Sequence, residues 1–309
     1  MSAQENDLYE LSMSEESQPL MAAVKKHIEE NVEPITEEFE ALHQEKEDRW
    51  SWHPRQLELL EGAKNKAKES GLWNFFLPDS ESGEGLTNLD YAYIAAELGK
   101  YGLASESLNC SAPDTGNMEV LERYGSEAQK KEWLEPLLDG KIRSAFAMTE
   151  PHVASSDATN ICTSAVLDGD EWVINGQKIW TSHAHHADWI FALVRTSTEG
   201  KKQKGISFLL IDMLTPGLEV KPIISIDGGH YLNEVYFTDV KVPVTNRIGE
   251  ENLGWTYAKY LLGHERTGIA GVAKSKRKLE KLKEIAGLEQ DSGEPVSYTH
   301  LTLPTKRIV

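Results

Sequence analysis

Hydrophobic residues near the start of the chain recur every three or four positions, which is the spacing of one face of an α-helix. This pattern predicts a helix over 19–47 with an interruption near Pro34, because a proline inside a helix removes a backbone hydrogen bond. The residues that carry the pattern are Leu20, Val24, Ile28, Val32, Ile35, Phe39 and Leu42.

Three more helices are predicted from prolines, hydroxyl caps and glycines at their ends. We expect Gly125-Ser126 to interrupt the last of them. Residues 1–140 are therefore predicted to form an N-terminal helical domain, with a frayed polar segment at its start. The expected limits of the three helices are 54–71, 87–99 and 114–138.

After Gly140 the period of the hydrophobic pattern changes from 3.6 to 2, which is typical of strands. Seven short strands at this spacing indicate a compact β-barrel or sandwich over 141–245. Asn175-Gly176 is a pair that favours the type I′ turn of a hairpin, so we expect a turn there. The expected strands are 144–148, 163–168, 171–180, 188–196, 205–212, 218–226 and 231–242.

Helical spacing returns over 246–292, so the chain is predicted to be α+β, with helices before and after the β domain. This last helical region is too short to form a bundle of its own, and we expect it to expose an apolar stripe. Residues 293–309 have no helical period. We interpret them as foreign to the fold, and a genuine short tail is the alternative.

The net charge of −18 and the sequence pI of about 5.0 exclude the basic surface that a nucleic-acid-binding protein needs. A large anionic ligand would require lysines and arginines gathered locally. Cys110 and Cys162 are far apart in sequence and are expected to be reduced thiols in a cytoplasmic protein. No apolar run is long enough for membrane insertion, and the acidic N-terminus lacks the features of a signal peptide.

Small and hydroxyl-bearing residues occur where two of the predicted strands end. Pro151 ends the strand that contains Thr149, and the residues after it are small enough for a ligand to approach the backbone. The second strand ends with Trp180-Thr181-Ser182. Strand ends hold hydrogen-bond donors more rigidly than loops do, so this pair of ends would suit a flat aromatic ring with a polar rim.

The segment TEPHVASSD, followed about thirty residues later by KIWTS, resembles the flavin-binding signature of the acyl-CoA dehydrogenases. The run of small residues is one residue longer than the common form. The resemblance extends over most of 20–286. Up to Trp180 the chain is most similar to the branch of family members 10 and 11, and from His183 onward it resembles the pimeloyl-CoA dehydrogenase branch. It implies the acyl-CoA dehydrogenase fold with an incomplete C-terminal helical bundle.

The same resemblance implies bound FAD, and no G-x-G-x-x-G fingerprint points to a different dinucleotide site. Taken alone, the hydroxyls would more often satisfy backbone groups at strand ends. The residues implied to contact the flavin are Phe146, Met148, Thr149, Ser155, Ser156, Trp180, Thr181 and Ser182.

The implied reaction is the α,β-dehydrogenation of an acyl-CoA thioester, with electrons passed to an electron-transfer flavoprotein by a homo-oligomeric enzyme. Glu265 matches the position of the catalytic base in some family members, whereas others carry it nearer the C-terminus. A solvated charge is the alternative for Glu265. Ser156 and Arg266 are the implied contacts to the acyl-CoA. A flavin-dependent monooxygenase of the same fold and an inactive partial subunit remain open as alternative functions.

Three histidines, His183, His185 and His186, lie close together in sequence, and His152 lies in the other motif. If His185 and His186 are on a strand, they point to opposite faces and cannot both bind one ion without a bend. We therefore expect no metal site, and we interpret these histidines as facing solvent or lining a substrate pocket.

Overall fold

The structure is a computed structural model. It describes residues 11–42, 49–78, 83–264, 271–288, 290–291 and 294–295. Within these ranges the chain forms helices, then an eight-stranded sheet, then two more helices, which is the expected order. Of the predicted tail, only Glu294–Pro295 is described, and it pairs with Gln290–Asp291.

The predicted helices are present within the described residues, and residues 43–47 of the first one lie outside them. Thr87 Oγ1 accepts a hydrogen bond from the backbone N–H of Asp90 and so caps α4. Gly125-Ser126 separates α6 from α7, as expected, and the short α5 was not predicted. The helices are α1 Gln18–His27, α2 Glu33–Leu42, α3 Pro54–Glu69, α4 Asn88–Leu98, α5 Ala104–Ser107, α6 Asp114–Tyr124, α7 Glu127–Gln129, α8 Glu135–Leu138, α9 Gly254–His264 and α10 Val272–Leu288.

Two prolines are accommodated by wider helical turns rather than by breaks. A π-helical turn, Ile28–Val32, ends two residues before Pro34 and joins α1 to α2. A second π-helical turn, Lys130–Leu134, ends two residues before Pro136. A proline cannot donate the usual hydrogen bond and its ring crowds the preceding turn, so the wider turn keeps the helix continuous. The predicted interruption near Pro34 is therefore a bulge.

Eight strands form one mixed sheet in the described part of the chain, in the order β6-β7-β3-β2-β4-β5-β8, with β1 parallel to β4. β2 and β4 share a single residue pair, Ser164 with Arg195, so the sheet has two halves. The two-residue β8 was not predicted. The strands are β1 Ser144–Ala147, β2 Ser164–Asp168, β3 Glu171–Ser182, β4 Trp189–Arg195, β5 Ile206–Asp212, β6 Leu218–Ile224, β7 His230–Pro243 and β8 Arg247–Ile248.

Alternate residues of the central strands are buried on opposite faces. Ile190 and Ala192 of β4 belong to an apolar cluster that also contains Val235 of the other half of the sheet. Phe191 and Leu193 belong instead to the cluster that contains the helices. Because successive side chains of a strand point to opposite faces, β4 lies between the helices and the other half of the sheet. This arrangement confirms a sandwich-like β domain packed against helices.

The predicted turn at Asn175-Gly176 is wrong. Both residues lie inside β3, which pairs with β2 on one side and with β7 on the other, and a β-bulge occurs there. The Asn175 side chain bridges the bulge, because its Nδ2 donates to Asp239 Oδ1 at 3.0 Å and its Oδ1 accepts from Asp239 N at 2.9 Å. A Cβ atom at Gly176 would lie 2.6 Å from Thr163 Oγ1, so this position requires glycine.

The helices after the sheet pack against the first helical region. In α9 the ring of Tyr257 lies 4.5 Å from that of Tyr124 in α6. Most of α10 is exposed, which agrees with the expected apolar stripe. None of the described helices combines the length and the apolar character needed to cross a membrane. The exposed apolar residues of α10 are Val272, Leu279, Leu282, Ile285 and Leu288.

Candidate flavin site

The two segments singled out from the sequence contact each other directly. The backbone N–H of Ile179 donates to the carbonyl oxygen of Thr149 at 2.9 Å. Lys178 Nζ donates to the carbonyl oxygen of Met148 at 3.1 Å and to the carboxylate of Glu150 at 2.8 Å. Three successive residues after β1 are therefore bound to two successive residues of β3.

Glu150 and Lys178 form a buried ion pair that was not recognised from the sequence. Lys178 is 0% exposed, and its third hydrogen bond goes to the carbonyl oxygen of Leu193 at 2.6 Å. The Glu150 carboxylate also accepts from the backbone N–H groups of Cys162 at 2.7 Å and Thr163 at 2.9 Å. Every hydrogen of the ammonium group is used, as a buried lysine requires. The signal in the sequence was one charged residue of each sign, one in each of the two motifs.

The charges of this pair depend on each other. Burial by itself would raise the pKa of Glu150, but the positive charge of Lys178 and the three donated hydrogen bonds outweigh burial and lower that pKa. Burial lowers the pKa of Lys178 to about 8, although the charge of Glu150 acts in the opposite direction. At neutral pH the pair is therefore ionised.

Three of the predicted hydroxyl groups are available to a ligand. Within the described residues, the side chains of Thr149, Ser156 and Ser182 have no hydrogen-bond partner, and each is at least partly accessible. Ser155 differs, because its Oγ accepts from the backbone N–H of Glu150 at 3.0 Å and donates to the carbonyl oxygen of Glu150 at 2.9 Å. Ser155 therefore stabilises its loop, the more common role of a hydroxyl at a strand end.

Trp180 is held in an unusual conformation that turns its ring outward. It is 55% exposed and has φ +61°, within a bulge between Lys178 and Thr181 in the pairing of β3 with β7. A left-handed backbone costs an L-residue about 1–2 kcal/mol, and strain of this kind concentrates at functional sites. Thr181 is only 1% exposed. The structure therefore does not bring Thr181 to the surface that carries Trp180 and Ser182.

Phe146 and Met148 supply apolar surface beside the available hydroxyls. Both are half-buried and lie on the side of β1 that packs against the helical cluster. The ring of Phe146 lies 5.9 Å from that of Phe208 at 82°, an edge-to-face arrangement. A flavin ring needs apolar contact on its face and hydrogen-bonding groups at its rim, and the residues present fit that requirement. Glu265 and Arg266 lie outside the described residues.

A cleft of about 730 Å³ opens beside His183, the residue that follows Ser182. Its polar end is an ion-pair network in which Arg143 binds both carboxylate oxygens of Glu106 and, through Nε, the carboxylate of Asp114 at 2.8 Å. Lys64 adds a contact to Glu106 at 3.3 Å. Burial acts to raise the pKa of Glu106, but Arg143 and Lys64 together lower it. The other walls are mainly apolar and include Phe39, Trp52, Leu57, Leu60 and Leu103.

A second cavity, of about 510 Å³, lies beside the loop that contains Ser156. Three basic residues line it, so the chain gathers positive charge here despite its net charge of −18. Arg195 is committed to carbonyl oxygens, including those of Thr159 and Ile161, and Lys202 Nζ donates to Asn160 Oδ1 at 2.6 Å. The remaining basic residue is Lys201.

The histidines are arranged differently from the expectation. Ala184–His186 is a 3₁₀ turn and not a strand, so the argument from alternating faces does not apply. The rings of His185 and His186 are 4.0 Å apart, and His185 stacks on His230 at 3.8 Å. In the ranges that the structure describes, no group of three histidine, cysteine or carboxylate side chains could hold a metal ion.

Two family models match the chain. The model described as acyl-CoA dehydrogenase, N-terminal domain, matches residues 14–141, and the one described as acyl-CoA dehydrogenase, middle domain, matches residues 145–240. Acyl-CoA dehydrogenase family member 11 of Gallus gallus is 46% identical over 266 residues, which cover 82% of this chain and 33% of that protein. The chain thus spans about a third of the length of that curated relative.

Two mycobacterial proteins are also similar. Probable acyl-CoA dehydrogenase FadE2 of Mycobacterium tuberculosis is 46% identical over 214 residues, covering 67% of this chain and 52% of that protein. A solved structure from Mycobacterium abscessus, assigned as an acyl-CoA dehydrogenase, superimposes with a TM-score of 0.85 at 37% identity. That match covers 92% of this chain and 73% of the other.

Proposed function

The chain belongs to the acyl-CoA dehydrogenase family, and we propose that it binds FAD and catalyses the α,β-dehydrogenation of an acyl-CoA thioester. One observation carries the proposal. Thr149, Ser156 and Ser182 offer hydroxyl groups that have no partner within the described residues, on segments that contact each other. Such groups are what a flavin with a polar rim requires.

Bound FAD would supply the hydride acceptor of the reaction. We assign the apolar contacts with the ring to Phe146, Met148 and Trp180, and the hydrogen bonds at its rim to Thr149 and Ser182. Ser156 lies on the adjacent loop and would reach the phosphate arm or the substrate. Thr181 and Ser155 are not among the assigned ligand contacts, because one is buried and the other is committed to its own loop.

The substrate proposal follows from family membership and from the charge near Ser156. Coenzyme A is a polyphosphate anion, and Lys201 lies in the cavity beside the Ser156 loop. A thioester α-proton is too weakly acidic for an ordinary carboxylate to remove. The base must therefore be desolvated, and the thioester carbonyl must be polarised by hydrogen bonds that strengthen as charge develops. We assign the base to Glu265 and a contact with the acyl-CoA to Arg266.

Two further assignments rest on the family alone. We propose that the electrons pass to an electron-transfer flavoprotein and that the protein works as a homo-oligomer. A monooxygenase of the same fold would instead use oxygen. Anaerobic reduction followed by admission of air separates the two, because a monooxygenase reoxidises rapidly whereas a dehydrogenase requires its protein acceptor.

The first experiment is a flavin titration followed by quenching of flavin fluorescence. We expect binding of FAD in preference to FMN, and we expect Thr149→Val to weaken it about tenfold, the value of one hydrogen bond. Thr238→Val is the matched control, because Thr238 is an exposed strand threonine without a side-chain partner in the described structure. Equal binding of FMN, or no flavin binding, would contradict the cofactor assignment.

The second experiment tests the reaction. Acyl-CoA is mixed anaerobically with the flavin-loaded protein, and bleaching of the flavin absorbance band is followed. Glu265→Gln should retain the spectral shift of ligand binding while bleaching slows by about 10²–10⁴-fold, because the amide cannot accept the α-proton. Bleaching at the wild-type rate would assign the base to another carboxylate.

A further inference from the structure

We propose that the Glu150–Lys178 ion pair is a positioning element of the flavin site. It holds the Thr149 segment and the Trp180–Ser182 segment in the relative position in which both reach one ligand. The inference rests on the proposed flavin site. It goes beyond that site because both charged residues are buried, Lys178 at 0% and Glu150 at 5% exposed, so their role would be to hold other ligand contacts rather than to be one.

Thr149 is fixed by contacts that Lys178 and Ile179 of β3 make with its segment. Lys178 Nζ binds the carbonyl oxygen of the residue before it and the carboxylate of the residue after it. The carbonyl oxygen of Thr149 itself accepts from Ile179 N–H at 2.9 Å. Lys178 thus binds the residues on both sides of Thr149, through the backbone of Met148 and the side chain of Glu150, so the direction in which the Thr149 hydroxyl points depends on Lys178.

Glu150 also closes the loop 151–161, which carries Ser156. The loop begins immediately after Glu150, and the first residue after it is Cys162. The Glu150 carboxylate accepts from the backbone N–H groups of Cys162 and Thr163, so it binds the far end of the loop that starts at its own residue. The same carboxylate therefore closes the Ser156 loop and binds Lys178.

The charges of Glu150 and Lys178 fix the direction of the contact between the two segments. A buried ion pair contributes little net stability, because desolvation offsets most of the attraction. An apolar pair of similar volume would fill the space equally well, but apolar contact has no direction. An ammonium group with three acceptors from two segments fixes distance and angle together. The geometry therefore points to positioning rather than to stability as the role of Glu150 and Lys178.

The test uses Lys178→Met, Glu150→Gln and the double variant of the whole chain. The matched control is the pair Glu171–Lys241, which has the same residue types and joins β3 to β7. This pair is exposed, with 3.7 Å between its charged atoms. Glu171→Gln and Lys241→Met should leave the site unchanged. Ile94→Ala, a buried change in α4, serves as the control for general loss of stability.

The first readout needs no cofactor. Amide hydrogen exchange of the flavin-free chain should be at least tenfold faster at Ile179 in Lys178→Met, and at Cys162 and Thr163 in Glu150→Gln, relative to amides in the first half of β3. Ile94→Ala should accelerate all amides of the domain together or none. The positioning role is rejected if the two site variants change the amide exchange rates of Ile179, Cys162 and Thr163 no differently than Ile94→Ala does.

The second readout is the FAD dissociation constant. Each site variant should raise the FAD dissociation constant about tenfold or more. The double variant should bind FAD no more weakly than the weaker-binding single variant, because the pair acts as a unit. Additive losses would reject the pair as a single element, as would an unchanged dissociation constant. If the wild-type chain binds no FAD while exchange at the three amides still responds, the proposed cofactor fails but the coupling of the two segments stands.

Discussion

Nε2 of His230 lies 2.7 Å from Oδ1 of Asn233, and this contact fixes the hydrogens on two histidine rings. Asn233 Nδ2 donates to the carbonyl oxygen of Thr181 and to Nδ1 of His185, both at 3.0 Å, which sets the orientation of the amide. His230 Nε2 must therefore donate. Its Nδ1 lies 3.0 Å from the carbonyl oxygen of Arg49. The orientation of the amide thus places a hydrogen on Nε2 of His230, whereas Nδ1 of His185 accepts and carries none.

We predict that this proton arrangement is observable in solution. Nitrogen–proton correlation spectra should detect a hydrogen on Nε2 of His230, which faces Oδ1 of Asn233. For His185 they should detect one, on Nε2. Exposed His152 is the reference in the same spectra.

The outcome that contradicts this prediction is equally specific. A hydrogen on Nδ1 of His185, and none on Nε2 of His230, would mean that the Asn233 amide is turned the other way. Asn233→Leu provides the control, because it removes both the acceptor for His230 and the donor for His185. In this variant Asn233 no longer determines which ring nitrogen of His230 and of His185 carries a hydrogen, so the spectra of the two rings should become similar.

Local signals predicted the helices well and one turn badly, for a physical reason. The cap at Thr87 and the interruption at Gly125-Ser126 depend on residues a few positions apart, so they can be read from sequence. Asn175-Gly176 carries the local signal of a hairpin, but both edges of β3 are paired and Thr163 lies against the glycine. The bulge forms instead of a turn because of contacts with β2, β7 and Thr163, which are distant in sequence.

The candidate site shows the same division. The hydroxyls of Thr149 and Ser182 were recognisable from the motifs that contain them. The ion pair that holds those motifs together joins residues 28 positions apart, Glu150 and Lys178, and only the folded sheet brings them into contact. The burial of Thr181 depends on the bulge at Trp180, which shifts the alternation of faces along β3. Neither feature has a short-range signal.

The close approach at Gly176 leads to a stability prediction. Gly176→Ala should destabilise the protein by about 1–3 kcal/mol, because the added Cβ would lie 2.6–2.8 Å from atoms of Thr163 and the strands must shift. Gly62→Ala is the control, since Gly62 lies inside α3 and has no neighbour within 4 Å of the added atom. It should stabilise the helix by about 0.5–1 kcal/mol. Urea unfolding of both variants checks the opposite signs, and a neutral Gly176→Ala would contradict the close contact.

The buried network at the cleft predicts a pH dependence. Arg143 and Lys64 lower the pKa of Glu106 below its ordinary value of about 4.5. A carboxylate whose pKa is lower in the folded state contributes stability above pH 4.5, and this contribution is lost as the pH falls through the folded value. Glu106→Gln should cost about 1–3 kcal/mol at neutral pH, because Arg143 and Lys64 lose the charged acceptor that they share, although Arg143 keeps Asp114 and Lys64 keeps Glu61. The difference from wild type should shrink progressively below pH 4.5.

Unfolding by urea at several pH values measures that difference. Burial raises the pKa of Asp114 and the charge of Glu106 raises it further, so the measured difference reports Glu106 together with its effect on Asp114. Glu38→Gln is the control, because Glu38 pairs with Arg55 on the exposed surface, where ion pairs contribute little. A difference that stays constant or grows on acidification would mean that the Glu106 carboxylate does not carry the interaction.

The backbone of Trp180 leads to the last prediction, which separates strain from binding. With φ +61°, this position disfavours any residue that has a Cβ, so Trp180→Gly should be more stable than Trp180→Ala by about 1 kcal/mol. Both variants lack the ring and should lose the same factor in FAD affinity, whereas Trp180→Phe should retain most of it. Urea unfolding gives the stability difference and flavin titration gives the affinity. Equal stability of the glycine and alanine variants would exclude the left-handed backbone, and unchanged FAD affinity without the ring would remove Trp180 from the site.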